Sequence, residues 1–172
     1  MTGIAVKLKK SFKVFLVSFL IIVSVALIIG RIFLFSVISV PTGSMSPTIS
    51  AGYKVILLRV GEDTIKRGDV IAFYSAEKRI NLIKRVIGLP GETIAIRNGT
   101  VYVDGELLVE DYVESNFDYT GTFTVPDDCY LFLGDNRSNS SDARYWEQPY
   151  IYKSYVLGKA FVTFYPKFKR VK

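Results

Sequence analysis

The chain has 172 residues, of which 49% are hydrophobic, and a formal net charge of +6. This length accommodates a membrane segment plus one domain of about 130 residues and excludes a second full domain. Histidine is absent and Cys129 is the single cysteine. The composition therefore excludes Ser-His-Asp triads, Cys-His dyads, sortase-type transpeptidases, histidine-bearing zinc sites and an internal disulfide.

The first predicted element is a membrane anchor over residues 14–35. Residues 14–30 carry no charge, and a helix of that length covers about 25 Å. Arg31 interrupts the run, but the apolar character resumes after it, so we expect Arg31 at the outer interface. A cleavable signal peptide is the alternative. It is disfavoured because the apolar run continues past Ser24-Val25-Ala26, its candidate cleavage site.

Basic residues predict the orientation of this anchor. Its N-terminal side carries Lys7, Lys9, Lys10 and Lys13, whereas residues 31–50 carry only Arg31. The positive-inside rule then predicts a single-pass protein of the cell membrane, in contact with membrane lipid. Residues 1–13 form its cytoplasmic tail and residues 36–172 its extracytoplasmic domain. An external domain excludes nucleic acid as a partner.

Downstream of residue 40 the pattern is typical of short strands. The clearest element is a hairpin over residues 93–107, in which Asn98-Gly99 matches a type I′ turn and Asp104-Gly105 gives a second turn. No amphipathic helix of twelve or more residues is predicted here. We expect a mostly β domain, in sheets or a partly closed barrel. Further strands are predicted at 55–58, 70–74, 123–125, 129–133 and 155–164.

Three stretches of this β-rich part carry the candidate chemistry. Residues 41–48 (PTGSMSPT) follow the anchor by a few residues and, taken alone, are typical of any loop. Lys84 lies among apolar, strand-like residues, where a surface lysine is unexpected. Residues 134–144 (GDNRSNSSDAR) are dense in side chains that form hydrogen bonds and ion pairs.

Together with Gly68-Asp69-Val70-Ile71, these stretches resemble in order and spacing the signature boxes of bacterial type I signal peptidases, family S26. The resemblance covers nearly the whole chain, and it is greatest to the Gram-positive, single-anchor members. It implies an endopeptidase that removes signal peptides from exported preproteins at the outer face of the membrane. It also implies a β fold shared with the self-cleaving SOS repressors and a mechanism that uses no cofactor and no metal.

The resemblance assigns a role to each matching residue. Ser44 is the implied nucleophile, which forms an acyl-enzyme, and Lys84 is the implied general base. Thr42, where many relatives have serine, is expected to stabilise the oxyanion together with the Ser44 N–H. Ser140 is expected to hydrogen-bond Lys84 and to hold it in line.

Supporting ion pairs and a substrate pocket are also implied by the resemblance. The expected pairs are Arg85 with Asp135 and Asp142 with Arg144. Ala143 departs from the usual serine, which leaves any hydroxyl contact at that position in doubt. Because small side chains define such cleavage sites, a shallow apolar pocket is expected. Its expected lining is Val40, Met45, Ile49 and Ile83.

The chemistry of lysine constrains this hypothesis independently of the family. An amine accepts a proton only when neutral, and a lysine of ordinary pKa is about 0.04% neutral at pH 7. Burial lowers the pKa by up to several units. Met45, Ile83 and Val86 are candidates for the apolar surroundings of Lys84, which would then deprotonate Ser44.

Two other functions share these features. One is a catalytically silent homologue that binds secretion components; the presence of both Ser44 and Lys84 argues against it. The other is a membrane-tethered protease of the same chemistry that processes one dedicated substrate. The sequence separates this second function poorly from a general signal peptidase.

Overall fold

The computed structural model describes residues 2–61, 64–114 and 117–171 and divides into two units, Met1–Phe35 and Ser36–Lys172. The first unit is a helix, α1 (Thr2–Leu34). In the part of the chain that the structure describes, no helix has both the length and the apolar character needed to cross a membrane. The side chains on which the orientation prediction depends lie outside the described residues, with the exception of Lys13.

The second unit is mostly β, as predicted, and its larger sheet has eight strands. In chain order these are β1 (Phe35–Val40), β2 (Tyr53–Leu58), β3 (Val70–Ser75), β4 (Ile80–Gly88), β9 (Cys129–Leu133), β10 (Tyr150–Tyr152), β11 (Val156–Tyr165) and β12 (Lys169–Arg170). Their spatial order is β1-β2-β11-β3-β4-β9-β10, with β12 beside β11. From β2 to β10 each neighbouring pair is antiparallel.

The smaller sheet contains the predicted hairpin. Its strands are β5 (Thr93–Arg97), β6 (Thr100–Val103), β7 (Glu106–Leu107) and β8 (Gly121–Thr124), in the spatial order β7-β6-β5-β8. Asn98 and Gly99 have φ angles of 48° and 80°, as a type I′ turn requires. Asp104 and Gly105 make the second turn, with φ angles of 48° and 88°. Both turn predictions are confirmed.

For β4 the sequence indicated only strand-like surroundings of Lys84, and three further strands of the larger sheet were not predicted. β1 follows the apolar helix without a turn signal, so its alternation cannot be separated from the helix pattern in the sequence. β10 and β12 have only three and two residues, too few for a periodic signal. They form because the neighbouring strands β9 and β11 offer hydrogen-bonding edges.

Two apolar clusters hold this unit together. The first joins the two sheets: Phe73 and Phe132 stack with centroids 4.3 Å apart, and Ile94 of the smaller sheet belongs to the same cluster. Cys129 is buried there, as expected of a structural thiol. The second cluster combines residues of β2, β3 and β11 with Met45 from the loop after β1. It anchors the loop that carries Ser44.

Candidate active site

Ser44 and Lys84 meet in the second unit. Ser44 lies in the loop between β1 and β2, and Lys84 lies in β4. The Lys84 ammonium donates a hydrogen bond to Ser44 Oγ. Only 7% of Ser44 and 3% of Lys84 are exposed. A serine hydroxyl thus directly contacts a buried lysine nitrogen, which takes a proton only in its neutral form.

The surroundings of Lys84 favour its neutral form. Burial lowers its pKa from 10.5 to about 8 and outweighs the surrounding charges, of which Asp142 and Asp135 raise the pKa and Arg144 lowers it. With a pKa of about 8, about a tenth of the amine is neutral at pH 7. Met45, which follows Ser44, and Val86, two positions after Lys84, are both fully buried.

The loop carrying Ser44 is held by the polar stretch after β9. The backbone N–H of Asn136 donates to the Ser44 carbonyl at 3.1 Å, and the Asn136 side-chain amide donates to the Gly43 carbonyl at 3.2 Å. Thr48 donates its hydroxyl to Asp135. Asn136 and Thr48 were not singled out in the sequence, although both lie inside the recognised stretches.

The structure pairs the four charged residues of the same region. Arg85 donates to both oxygens of Asp135, at 2.8 and 2.6 Å, and Arg144 donates to both oxygens of Asp142, at 2.7 and 2.8 Å. All four are buried. Asp142 also accepts the backbone N–H of Gly134 at 2.9 Å. One pair therefore ties β4 to the stretch after β9, and the other braces that stretch internally.

Thr42 lies beside the serine hydroxyl. Its Oγ1 is 3.3 Å from Ser44 Oγ, within hydrogen-bonding distance. Thr42 is exposed and Ser44 is buried, and both line the same cleft. Ala143 is buried, and its methyl group offers no hydrogen bond there.

The predicted hydrogen bond between Ser140 and Lys84 is not formed. Among the described residues, Ser140 Oγ is buried and has no hydrogen-bonding partner. The reason is geometric: the ammonium is directed at Ser44, and Ser140 packs against the Cα of Gly134, where an added Cβ would lie 2.6 Å from the Ser140 Cβ. A buried hydroxyl without a partner costs about 1–3 kcal/mol.

The predicted pocket residues lie in the core, in contrast to the expectation from the resemblance. Val40, Met45, Ile49 and Ile83 all belong to the second apolar cluster and are at most 7% exposed. A neighbouring cleft of about 490 Å³ reaches Ser44 and Lys84 instead. Alternation along β4 directs the side chains at 80, 82 and 84 to this cleft. Its lining is Thr42, Gly43, Ser44, Lys78, Ile80, Leu82, Lys84, Asn139, Ser141 and Trp146.

Comparison of the sequence with known proteins identifies the family of the chain. The profile described as "Signal peptidase, peptidase S26" matches residues 12–165. The chain belongs to this family. Signal peptidase I of Leptolyngbya laminosa is 39% identical over 155 residues, which are 83% of this chain and 75% of the relative. The probable signal peptidase I-2 of a Synechocystis species is 38% identical over 156 residues, 84% of this chain and 70% of the relative.

The solved structure of another signal peptidase I is also similar to this chain. The crystal structure of a signal peptidase I from Enterococcus faecalis V583 is 38% identical, covers 56% of this chain and 96% of its own, and gives a TM-score of 0.48. The family match and the curated relatives confirm the resemblance to type I signal peptidases. Type I signal peptidases of family S26 are serine endopeptidases that cleave signal peptides, and this activity follows from the membership.

Proposed function

We propose that the chain removes signal peptides from exported preproteins with Ser44 as the nucleophile and Lys84 as the general base. The observation that carries the proposal is the buried hydrogen bond between the Lys84 ammonium and Ser44 Oγ. A serine hydroxyl is a weak nucleophile until a base takes its proton. Lys84 is positioned for that transfer, and its lowered pKa makes the neutral amine accessible near neutral pH.

The proposed reaction has two stages. Neutral Lys84 Nζ takes the Ser44 proton while Ser44 Oγ attacks the scissile carbonyl carbon, which gives a tetrahedral oxyanion. The intermediate collapses, Lys84 gives the proton to the leaving amine, and the signal peptide remains as an ester of Ser44. Lys84 then deprotonates a water molecule that attacks this ester. Hydrolysis releases the signal peptide and restores both side chains.

Thr42 and the backbone N–H of Ser44 are the proposed donors to the oxyanion. The 3.3 Å distance between Thr42 Oγ1 and Ser44 Oγ supports this role, because the oxyanion forms on the carbon that Ser44 Oγ attacks, two bonds from Oγ. The Arg85–Asp135 and Asp142–Arg144 pairs are proposed to support the loops. The apolar part of the cleft, which includes Leu82, is proposed to receive the substrate.

The chain is further proposed to be anchored in the cell membrane by residues 14–35, with its N-terminus cytoplasmic and residues 36–172 extracytoplasmic. Two observations support an anchor. The sequence has no charge between residues 14 and 30, and large apolar side chains between Phe12 and Ile28 are 38–67% exposed along α1. Exposing apolar surface to water costs about 25 cal/mol per Å². Lipid removes this cost, and it is therefore a proposed partner.

Substitution of the two reacting residues tests the function. The full-length protein in detergent is incubated with an exported precursor, and the mature product is followed by mass spectrometry. We expect cleavage by the wild type and a loss of at least about 1,000-fold in Ser44→Ala and Lys84→Ala. Lys66→Ala, at an exposed lysine that does not line the cleft, serves as a matched lysine control and is expected to keep full activity.

Two outcomes would contradict this assignment. Residual activity within tenfold of the wild type in either dyad variant would remove that residue from the mechanism. An inactive wild type that still binds the precursor would favour the silent homologue. Cleavage of one precursor among a panel of unrelated ones would instead favour the dedicated protease of the same chemistry.

A further inference from the structure

Three side chains from the connection between β7 and β8 cover the buried arginines around the candidate active site. They are Glu110, Tyr112 and Phe117, and we refer to them as the arginine clamp. None of them is among the residues that line the cleft at Ser44. Nothing in the sequence distinguishes them from the rest of a long polar connection, so their placement is a result of the tertiary structure.

Glu110 is the charged member of the arginine clamp. Its two carboxylate oxygens accept from both terminal nitrogens of Arg137, one of them at 2.8 Å. The side chain of Arg137 is 1% exposed and that of Glu110 is 9% exposed. Because a buried guanidinium without a counterion is strongly unfavourable, Glu110 determines where Arg137 lies.

Arg137 connects this pair to the backbone next to Ser44. Its Nε donates to the Gly134 carbonyl at 3.0 Å, while the Gly134 N–H donates to Asp142. The Cα of Gly134 packs against the Ser44 carbonyl: a Cβ added at Gly134 would lie 2.5 Å from that oxygen. A shift of Arg137 would therefore be passed through one residue to the position of Ser44.

The two aromatic members complete the cover. The Arg85 guanidinium lies 3.9 Å from the centroid of Tyr112, and the Arg144 guanidinium lies 4.7 Å from that of Phe117. The Tyr112 hydroxyl donates to Glu110 at 2.7 Å. A guanidinium stacked on an aromatic ring in this way is attracted electrostatically by the face of the ring. The arginine clamp thus contacts all three buried arginines of the site.

We infer that Glu110, supported by Tyr112 and Phe117, is a positioning residue for catalysis: through Arg137 and Gly134 it holds Ser44 in line with Lys84. The inference depends on the proposed function, since it concerns the same dyad. It adds a contribution from the smaller sheet, whose connection supplies the arginine clamp, to a site built from the larger sheet. If Glu110 acts in this way, its loss should lower kcat and leave substrate affinity unchanged.

The test is Glu110→Gln in the full-length protein. Glutamine keeps the shape of the side chain and removes its charge, so Arg137 loses its counterion. We expect kcat to fall by about 10- to 100-fold, the loss typical of a misplacement of about 1 Å, with KM changed by less than about twofold. The assay follows a fluorogenic peptide spanning a signal-peptide cleavage site. It is run well below the unfolding temperature measured for each variant, so that all of the enzyme is folded.

Glu92→Gln is the matched control. Glu92 also accepts from both terminal nitrogens of its arginine, Arg67, one of them at 2.6 Å, but it lines a different cavity from the cleft at Ser44. We expect this variant to lose thermal stability and keep kcat. A second variant, Tyr112→Phe, keeps the charge of Glu110 and removes the hydroxyl that donates to it, so the carboxylate is held less firmly against Arg137. It is expected to lower kcat by about threefold to tenfold at unchanged KM, and it keeps the inference testable if Glu110→Gln does not fold.

The outcomes separate this inference from the proposed function. Cleavage by the wild type and inactivity of Ser44→Ala support the dyad whatever the clamp variants do. A Glu110→Gln enzyme that is less stable but has wild-type kcat would overturn the positioning role and leave the dyad intact. The same conclusion would follow if Glu92→Gln lowered kcat equally.

Discussion

At the residue scale, one amine decides whether the site is reactive. A lysine is charged in water at neutral pH, and the proposed role of Lys84 as base requires the neutral form. Burial makes the neutral form more accessible by lowering the pKa of Lys84 to about 8. The neighbouring carboxylates and Arg144 act in opposite directions, so their arrangement as ion pairs keeps them from restoring the charged amine.

The pKa of Lys84 predicts the pH dependence of the enzyme. Since the neutral amine is the proposed base, kcat/KM should rise with pH, reach half its maximum at about pH 8, and level off above that value. The measurement is a pH–rate profile with the fluorogenic peptide between pH 6 and pH 10. A rate independent of pH over this range would contradict a lysine base.

The same pKa is also measurable through the free energy of unfolding. Lys84 has a lower pKa in the folded protein than in the unfolded chain, so the unfolded chain binds more protons between pH 8 and 10.5. The free energy of unfolding should therefore rise with pH in this window. Lys84→Met lacks this rise. From pH 7 to 10.5 the free energy of unfolding of the wild type should therefore rise by about 3 kcal/mol relative to that of Lys84→Met.

At the element scale, the β5–β6 hairpin places part of the cover over the site. Its turn residue Gly99 has a φ of 80°, and an added Cβ there would collide with the Phe117 carbonyl. The Gly99 N–H also donates to the Tyr119 carbonyl at 3.0 Å. The turn thus has two functions: it reverses the chain, and it lets the connection that carries the arginine clamp approach closely.

Gly99→Ala should destabilise the protein more than Gly105→Ala. Both glycines have a positive φ, at which alanine costs about 1–2 kcal/mol, but an added Cβ at Gly105 meets no atom within 4 Å. We expect an additional loss of about 1–3 kcal/mol for Gly99→Ala from the displaced backbone. Urea unfolding of the two variants measures the difference. Equal losses would contradict the close approach at Phe117.

At the scale of the whole molecule, the proposed anchor and the β-rich unit have different tasks. The proposed mechanism uses only residues of Ser36–Lys172, because every described contact of the dyad lies there. The proposed anchor instead concentrates the enzyme at the surface where exported chains emerge. Loss of the anchor should therefore affect encounter with the substrate, not the chemical step.

A truncated protein of residues 36–172 tests this division. With a soluble fluorogenic peptide we expect kcat within about threefold of the full-length protein, because the site is unchanged. With a precursor embedded in vesicles we expect at least about a tenfold lower rate, since restriction to the membrane raises the effective concentration of the enzyme. Equal activity of the two proteins on embedded precursors would refute a role of residues 14–35 in anchoring.

Local pattern determined much of this protein from the sequence alone. The alternating runs and the Asn98-Gly99 turn predicted the β fold, and the stretches around Ser44 and Lys84 indicated the family, because these features depend only on neighbouring residues. Tertiary structure decided what distant residues do to one another. It brought Lys84 to Ser44 across 40 positions, left Ser140 without the predicted bond, put Val40, Met45, Ile49 and Ile83 in the core, and placed Glu110 against Arg137. Such contacts depend on strand register and loop packing, which no local pattern specifies.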